Sequence, residues 1–305
     1  MPLIECVPNV SEGRRADVIA ALGAAIAAPG IHMLDRSSDP SHNRTVYTFA
    51  GEPGPLRDAV LRLFAAAVEA IDLRSHDGVH PRIGAVDVVP FVPLRDVTLE
   101  ECVSLAKSTA ALVGERIQVP VFLYEEAATN DERRSLSDIR RGGVNGMALR
   151  MKQPAWRPDF GPHQPHPTAG ATAIGARPIL IAYNVNLASN RLGVAKRIAS
   201  VIRASSGGLV HVKALGLQLD HGVVQVSMNL TNYKETSMTT VFDAIVREAA
   251  ADGVRILESE IVGLVPRDAL PADPARRLKL RAEDLDRVLE TRLERTNEDR
   301  KTNRT

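Results

Sequence analysis

The stretch Leu209-Val210-His211-Val212-Lys213-Ala214-Leu215-Gly216-Leu217-Gln218-Leu219-Asp220-His221-Gly222-Val223-Val224-Gln225-Val226-Ser227-Met228-Asn229-Leu230 decides the fold. Its two apolar runs flank a turn sequence, Leu219-Asp220-His221-Gly222, and read as a β-hairpin. Before it, Ile179 to Val185 reads as a strand and Leu192 to Ile202 as a helix. After it, a helix from about Ser237 to Ala250, with Val241, Ile245 and Ala249 on one face, leads to a strand at Arg255 to Val262. The order is β-α-β-β-α-β.

The same order emerges from the other end. Leu3 to Val7 reads as a strand, Ser11 offers a helix N-cap, and Val18, Ile19, Leu22 and Ile26 share a helical face that Pro29-Gly30 ends. Ile31 to Leu34 and Thr45 to Ala50 read as strands separated by a polar loop, Asp35 to Arg44. A helix through Leu56, Val60, Leu63, Phe64, Val68 and Ile71 precedes a strand from Ala85 to Val92. The expected fold class is therefore α/β (α+β), with two ferredoxin-like β-α-β-β-α-β subdomains. Between them, Thr98 and Glu101 have capping-box spacing for a third helix to about Ile117, and Val119 to Tyr124 returns as a strand. Asn130 to Trp156 has a weak pattern and reads as short helix or loop. Gly161 to Gly170 holds three prolines, so it is a structured loop that links the first block to the strand at Ile179. The expected division is residues 1–177, 178–275, and a charged tail, 276–305, read as a surface or partner helix fraying to disorder.

The bulk numbers exclude several functions. With 38 basic and 37 acidic side chains the net charge is +1, so no long-range field favours nucleic acid or an anionic membrane. Two cysteines, Cys6 and Cys102, suit a reducing compartment. No leader pattern and no long apolar span is present, which makes the cytoplasm the expected address.

The richest chemistry lies in Arg74-Ser75-His76-Asp77-Gly78-Val79-His80-Pro81-Arg82, at the entrance to an apolar strand. Pro81 restricts His80 to extended backbone, and an imidazole suits proton transfer near neutral pH. From these features alone His80 reads equally well as a turn cap or packing residue. His76 and His80 are four apart, but Gly78 and Pro81 oppose a helix there, so no metal site is expected; His163 and His166 have no acidic or cysteine neighbour to complete one. Asn43 and Arg44 could hold a carboxylate or simply sit at a turn.

Six segments in order resemble the formiminotransferase domain family of folate enzymes in histidine degradation. They are Leu3 to Gly13, Asn43 to Phe49, His80 to Pro93, Trp156 to Pro162, Gly170-Ala171-Thr172 with Gly175-Ala176-Arg177, and Leu180 to Leu187. The resemblance implies two subdomains forming a folate-binding cleft, a homodimer, tetrahydrofolate as co-substrate, and His80 as acid/base. It also implies that Gly161, Pro162, His163, Gln164, Pro165, His166, Pro167, Thr168, Ala169 and Gly170 line the folate site. In this loop the chain departs from the mammalian pattern, which has serine, aromatic and aliphatic residues where His163 to Pro167 stand. The mammalian cyclodeaminase domain has no counterpart here, so transfer alone is expected. Asn43, Arg44, Arg82 and Arg177 are expected partners for substrate carboxylates, and Asp87 or Asp35 could orient the imidazole. Two rivals stay open: formyl rather than formimino transfer, and a non-catalytic folate-binding protein. An RNA-binding module is disfavoured by the 4% aromatic content.

Overall fold

The computed structural model describes residues 1–78, 81–219 and 222–302. Two units divide the chain, Met1–Arg177 and Pro178–Thr305. In the first, β1 (Leu3–Cys6), β2 (Asn9–Val10), α1 (Ala16–Ile26), β3 (His32–Asp39), β4 (Arg44–Gly51), α2 (Pro53–Ala70) and β5 (Val86–Arg95) come first. They are followed by α3 (Leu99–Leu112), β6 (Val121–Glu125), α4 (Leu136–Ile139), α5 (Gly143–Arg150) and β7 (Thr172–Ala176). Strand β3 pairs with β4, β4 with β1 and β2, and both of these with β5, all antiparallel; β7 joins β5 in parallel and β6 joins β7 in parallel.

One face of this sheet packs Ile4, Tyr47, Phe49, Val89, Phe91 and Ile174 against Leu22, Leu56, Leu63, Phe64 and Leu105 of α1, α2 and α3. On the other face Val88, Phe122, Tyr124 and Ala173 meet Ile139, Met147, Met151 and Trp156. Cover on both faces is what a parallel pair such as β6 and β7 requires, and explains why Val121 to Tyr124 are all buried. The α3 capping box forms as expected: Thr98 Oγ1 accepts from Glu101 N–H and the Glu101 carboxylate accepts from Thr98 N–H.

The second unit runs β8 (Ile181–Leu187), α6 (Leu192–Ile202), β9 (Val212–Gln218), β10 (Val224–Leu230), α7 (Met238–Ala251), β11 (Ile256–Val262), α8 (Pro274–Arg277) and α9 (Leu289–Thr302). Its sheet is antiparallel in the order β11-β8-β10-β9. Tyr183, Val185, Val226 and Met228 bury against Val194, Ile198, Phe242 and Ile245. Asp220 and His221 of the expected hairpin turn lie outside the described residues. Among the described residues, no helix is long and apolar enough to cross a membrane.

Four expectations need correcting. Ser11 is not a helix cap: it is buried and its Oγ donates to Gly84 O at 2.7 Å, while Glu12 accepts from the N–H groups of Arg14 and Arg15 ahead of α1. The polar segment from Asp35 to Asp39 is strand rather than loop, because β3 is an edge strand whose outer side is solvated. Strand β7 intervenes between the Pro/Gly loop and β8, so that loop lies within the first unit and does not link the two units. Its small residues hide it: a Cβ on Gly175 would sit 2.3 Å from Tyr124 O, so close strand packing demands glycine there. Finally, Leu278 and Leu280 of the charged tail lie in the second unit's core, and Ser259 pairs with that segment through Lys279 O and Arg281 N–H.

Candidate active site

A cavity of about 790 Å³ opens in the first unit between three short stretches. Leu73, Arg74, His76, Asp77, Gly78, Pro81 and Arg82 form one wall. Pro165, His166, Pro167, Thr168 and Gly170 form a second, and Gly142, Gly143, Val144, Asn145 and Ala148 at the start of α5 form the third. The first two walls come from segments singled out in the sequence for chemistry.

The first wall is cross-linked. Asn43, held in the left-handed region at φ 47, accepts from Gly13 N–H at 2.9 Å and donates to Asp77 O at 2.8 Å. Gly13 has to be glycine, since a Cβ there would lie 2.4 Å from Asp39 O. Arg82 hydrogen-bonds to His76 Nδ1 and donates to Gly78 O at 2.6 Å. Burial, then the adjacent Arg82 guanidinium, hold His76 below its ordinary range, opposed by Glu12 and the carbonyls of Ser11 and Asn43. The neutral ring accepts from Arg82 through Nδ1, which places its proton on the buried Nε2. His76 therefore orients Arg82.

Asp87 ties the first wall to the third. It is 2% exposed; one carboxylate oxygen accepts from Ile83 N–H at 2.7 Å and the other from Arg140 Nε at 2.8 Å. Ile83 follows Arg82, and Arg140 precedes Gly142 and Gly143, both of which take positive φ. The Asp87 carboxylate is thus engaged by Ile83 and Arg140.

The second wall is a tight reversal. His166 and Gly170 exchange backbone hydrogen bonds at 2.7 and 3.0 Å, and Gly170 sits at φ +70. A Cβ on Gly170 would fall 2.3 Å from Ile83 O, so a bulky residue there would disturb the fold before it could report on a ligand. Ala169 belongs to the core, while Gly161, Pro162, His163 and Gln164 stand apart from the cavity lining.

Of the residues expected to meet carboxylates, Arg82 lines the cavity and Asn43 braces it from behind. Arg44 lies beside Arg140, Asp39 and Asp87, and its pKa is lowered by burial first and by Arg140 second. Arg177 lies near Glu5, Cys6 and Tyr124. Neither Arg44 nor Arg177 is among the lining residues. His80 lies outside the described residues, but Gly78 and Pro81 on either side of it both line the cavity. The α5 wall was missed from the sequence; the adjacent glycines Gly142-Gly143, each needing positive φ, were the signal for a turn into a helix. Among the described residues, no three His, Cys, Asp or Glu side chains gather to hold a metal ion.

Glu5 on β1 is a second residue that sequence reasoning passed over. It is 8% exposed, and burial raises its carboxyl to about 7 against the opposing pull of Arg177. An acid with a raised folded pKa binds its proton more tightly when folded. Its contribution to stability is therefore present below its ordinary value of 4.5 and lost as pH rises through about 7. Glu5→Gln is expected to stabilise the first unit at pH 8 by on the order of 3 kcal/mol and to change little at pH 4.5. Urea unfolding at both pH values, followed by the single tryptophan, Trp156, tests this. An equal offset at the two pH values would assign the effect to shape instead of charge.

Residues 3–177 match the family profile described as the formiminotransferase domain, N-terminal subdomain, and residues 182–283 match that of the formiminotransferase domain. Glutamate formimidoyltransferase of Thermoplasma acidophilum is 46% identical over 298 residues, covering 96% of this chain and 98% of that protein. Glutamate formimidoyltransferase of Streptococcus pyogenes serotype M1 is 44% identical over 270 residues, covering 88% and 90%. Formimidoyltransferase-cyclodeaminase of Sus scrofa is 44% identical over 276 residues, and there the match spans 88% of this chain but 51% of the relative.

Proposed function

Because this chain belongs to the formiminotransferase family, we propose that it is a glutamate formimidoyltransferase, passing a formimino group between N-formimino-L-glutamate and N5 of tetrahydrofolate. The observation that carries this reading is the 46% identity to a glutamate formimidoyltransferase over almost the full length of both proteins. The cavity supports it, since His76, Gly78, Pro81 and Arg82 face the same space as Pro165, His166, Pro167, Thr168 and Gly170.

In the proposed reaction N5 attacks the formimino carbon, forming an N5–C bond and a tetrahedral adduct. The N5 proton passes to an imidazole and from it to the glutamate nitrogen. Cleavage of the old C–N bond then releases glutamate and leaves the formimino group on N5. One base that becomes one acid suffices, and we assign it to His80. Two of the five guanidinium N–H groups of Arg82 engage His76 and Gly78, which fixes the plane it would present to a substrate carboxylate. The loop from Gly161 to Gly170 is assigned to tetrahydrofolate. Asn43 is assigned to bracing and Arg44 and Arg177 to longer-range field. The reading extends to a cytoplasmic homodimer built from two ferredoxin-like halves. Supporting the latter, β11-β8-β10-β9 and the run β5, β1 with β2, β4, β3 place equivalent strands in the same order.

Incubating the purified protein with tetrahydrofolate and either N-formiminoglutamate or N-formylglutamate tests the function. Turnover with the formimino donor is expected to exceed that with the formyl donor. The reverse preference would replace the activity with a formyltransferase, and no turnover with either would leave a binding protein.

A further inference from the structure

The second unit carries a cavity of its own, of about 410 Å³, which shares no lining residue with the cavity of the first unit. Arg203 and Ser205, which follow α6, line it together with Lys213 of β9 and Ser227 and Asn229 of β10. Strand alternation sets the direction of the last three. Val212, Ala214, Val226 and Met228 enter the apolar core of the unit, so Lys213, Ser227 and Asn229 lie on the opposite face of the sheet. Lys213 and Asn229 are direct cross-strand partners, as are Leu215 and Ser227, which puts their side chains next to one another. A tight turn places Arg203: Gly207 and Gly208 donate from N–H to the carbonyls of Ala204 and Arg203 at 3.0 and 3.1 Å, and Gly207 takes φ +83.

The polar groups at this cavity differ from their neighbours on the same sheet face. Asn184 and Gln225 both donate to Glu260 Oε1, at 2.9 and 3.0 Å, and Asn186 donates to Glu258 Oε1 at 3.2 Å. Those amides are matched to carboxylates. At the cavity the donors have no such match: among the described residues, no hydrogen bond or ion pair engages the side chains of Ser205, Lys213, Ser227 or Asn229. The Arg203 guanidinium uses only Nε, on Ser206 Oγ at 2.7 Å, which leaves its outer N–H groups for another acceptor. No described lining residue is acidic. Two cations beside neutral donors, with no carboxylate among them, call for oxygen acceptors that bring negative charge. Leu215, 61% exposed, adds apolar contact, and the volume falls in the roughly 300–1,000 Å³ range of small-ligand pockets.

We propose that this cavity is a binding site for a small organic dianion, a dicarboxylate or a phosphate monoester, its charge matched by Arg203 and Lys213 and its oxygens accepting from Ser205, Ser227 and Asn229. None of these residues belongs to the proposed transfer site, so binding is measured without reference to turnover.

Amide spectra of the nitrogen-15-labelled protein, titrated with succinate or with glycerol phosphate at constant ionic strength, test this. Saturating shifts are expected at residues 203–205, 212–215 and 227–229, and at the side-chain amide of Asn229. Saturation by succinate alone makes it a carboxylate site and by glycerol phosphate alone a phosphate site; either supports the proposal. Arg203→Met and Lys213→Met are each expected to raise the dissociation constant about 3- to 10-fold, as for one charge-assisted contact open to solvent. Arg203→Lys, which keeps the charge, should lose less. Neither residue is buried, so the circular dichroism and thermal midpoint of these variants should match the unsubstituted protein. Shifts that do not saturate, that fall elsewhere in the chain or that sodium chloride reproduces at equal concentration would overturn the proposal, as would unchanged affinity in the Arg203→Met/Lys213→Met double variant.

Discussion

His80→Ala is expected to lower turnover by about two to four orders of magnitude, the range lost when a positioned acid/base is removed. Tetrahydrofolate affinity and the Trp156 emission spectrum should stay close to those of the unsubstituted protein. The assignment rests on the family resemblance of His80-Pro81-Arg82 and on the cavity that Gly78 and Pro81 line. The competing imidazole is His76, four residues earlier, but its Nδ1 is committed to Arg82 and its Nε2 is buried. Steady-state rates with saturating donor and folate provide the measurement. Near-normal turnover in a folded His80→Ala protein would move the proton-transfer role to another group.

The sequence revealed elements wherever one face is apolar and the other wet. The faces of α1 and α2 that carry Leu22, and Leu56 with Leu63, in the core with Phe49 and Phe91, and the second unit's hairpin, are cases in which periodicity and burial report the same thing. It was silent where packing on both faces or close backbone approach set the residue types. Strand β7 is an example, with Gly175 pressed against Tyr124 and Thr172, Ala173, Ile174 and Ala176 filling the rest of a fully buried strand. The polar edge strand β3 misled for the opposite reason, since an edge with a solvated side needs no apolar alternation. At the site, the stretch from Arg74 to Arg82 was legible because its residue types are chemically dense. Its partners in α5 were not: Gly142 to Asn145 contribute backbone and small side chains, and only the three-dimensional turn brings them to the cavity. Asp87 was legible as a candidate but not in its role, because the partner that claims its carboxylate, Arg140, lies 53 residues away.

That partner makes Asp87→Ala the most damaging substitution for the fold around the site. The carboxylate is 2% exposed and carries two arms, to Ile83 N–H at 2.7 Å and to Arg140 Nε at 2.8 Å, and it also offsets the charges of Arg44 and Arg82. Truncation to alanine leaves the amide of Ile83, a fully buried residue, without that acceptor, at a cost of about 1–3 kcal/mol. It also leaves the Arg140 guanidinium, whose side chain is 15% exposed, without its carboxylate. Breaking a buried pair from one side typically costs about 3–5 kcal/mol, which is a large part of the roughly 5–15 kcal/mol that holds a domain folded. The loss should be read by Trp156, because the layer that contains it also contains Ile139, the residue before Arg140. The urea midpoint followed by its fluorescence is therefore expected to fall by the equivalent of about 3 kcal/mol or more. Adding Arg140→Met removes the stranded charge and should restore about half of that, since a buried pair replaced on both sides is often near neutral in stability. The remaining deficit would belong to Ile83 N–H. If the single variant shifts the midpoint by less than about 1 kcal/mol, or the double variant is no more stable than the single, the carboxylate is not what fastens the Arg82 wall to the α5 wall, and the cavity must be held open by its apolar layer alone.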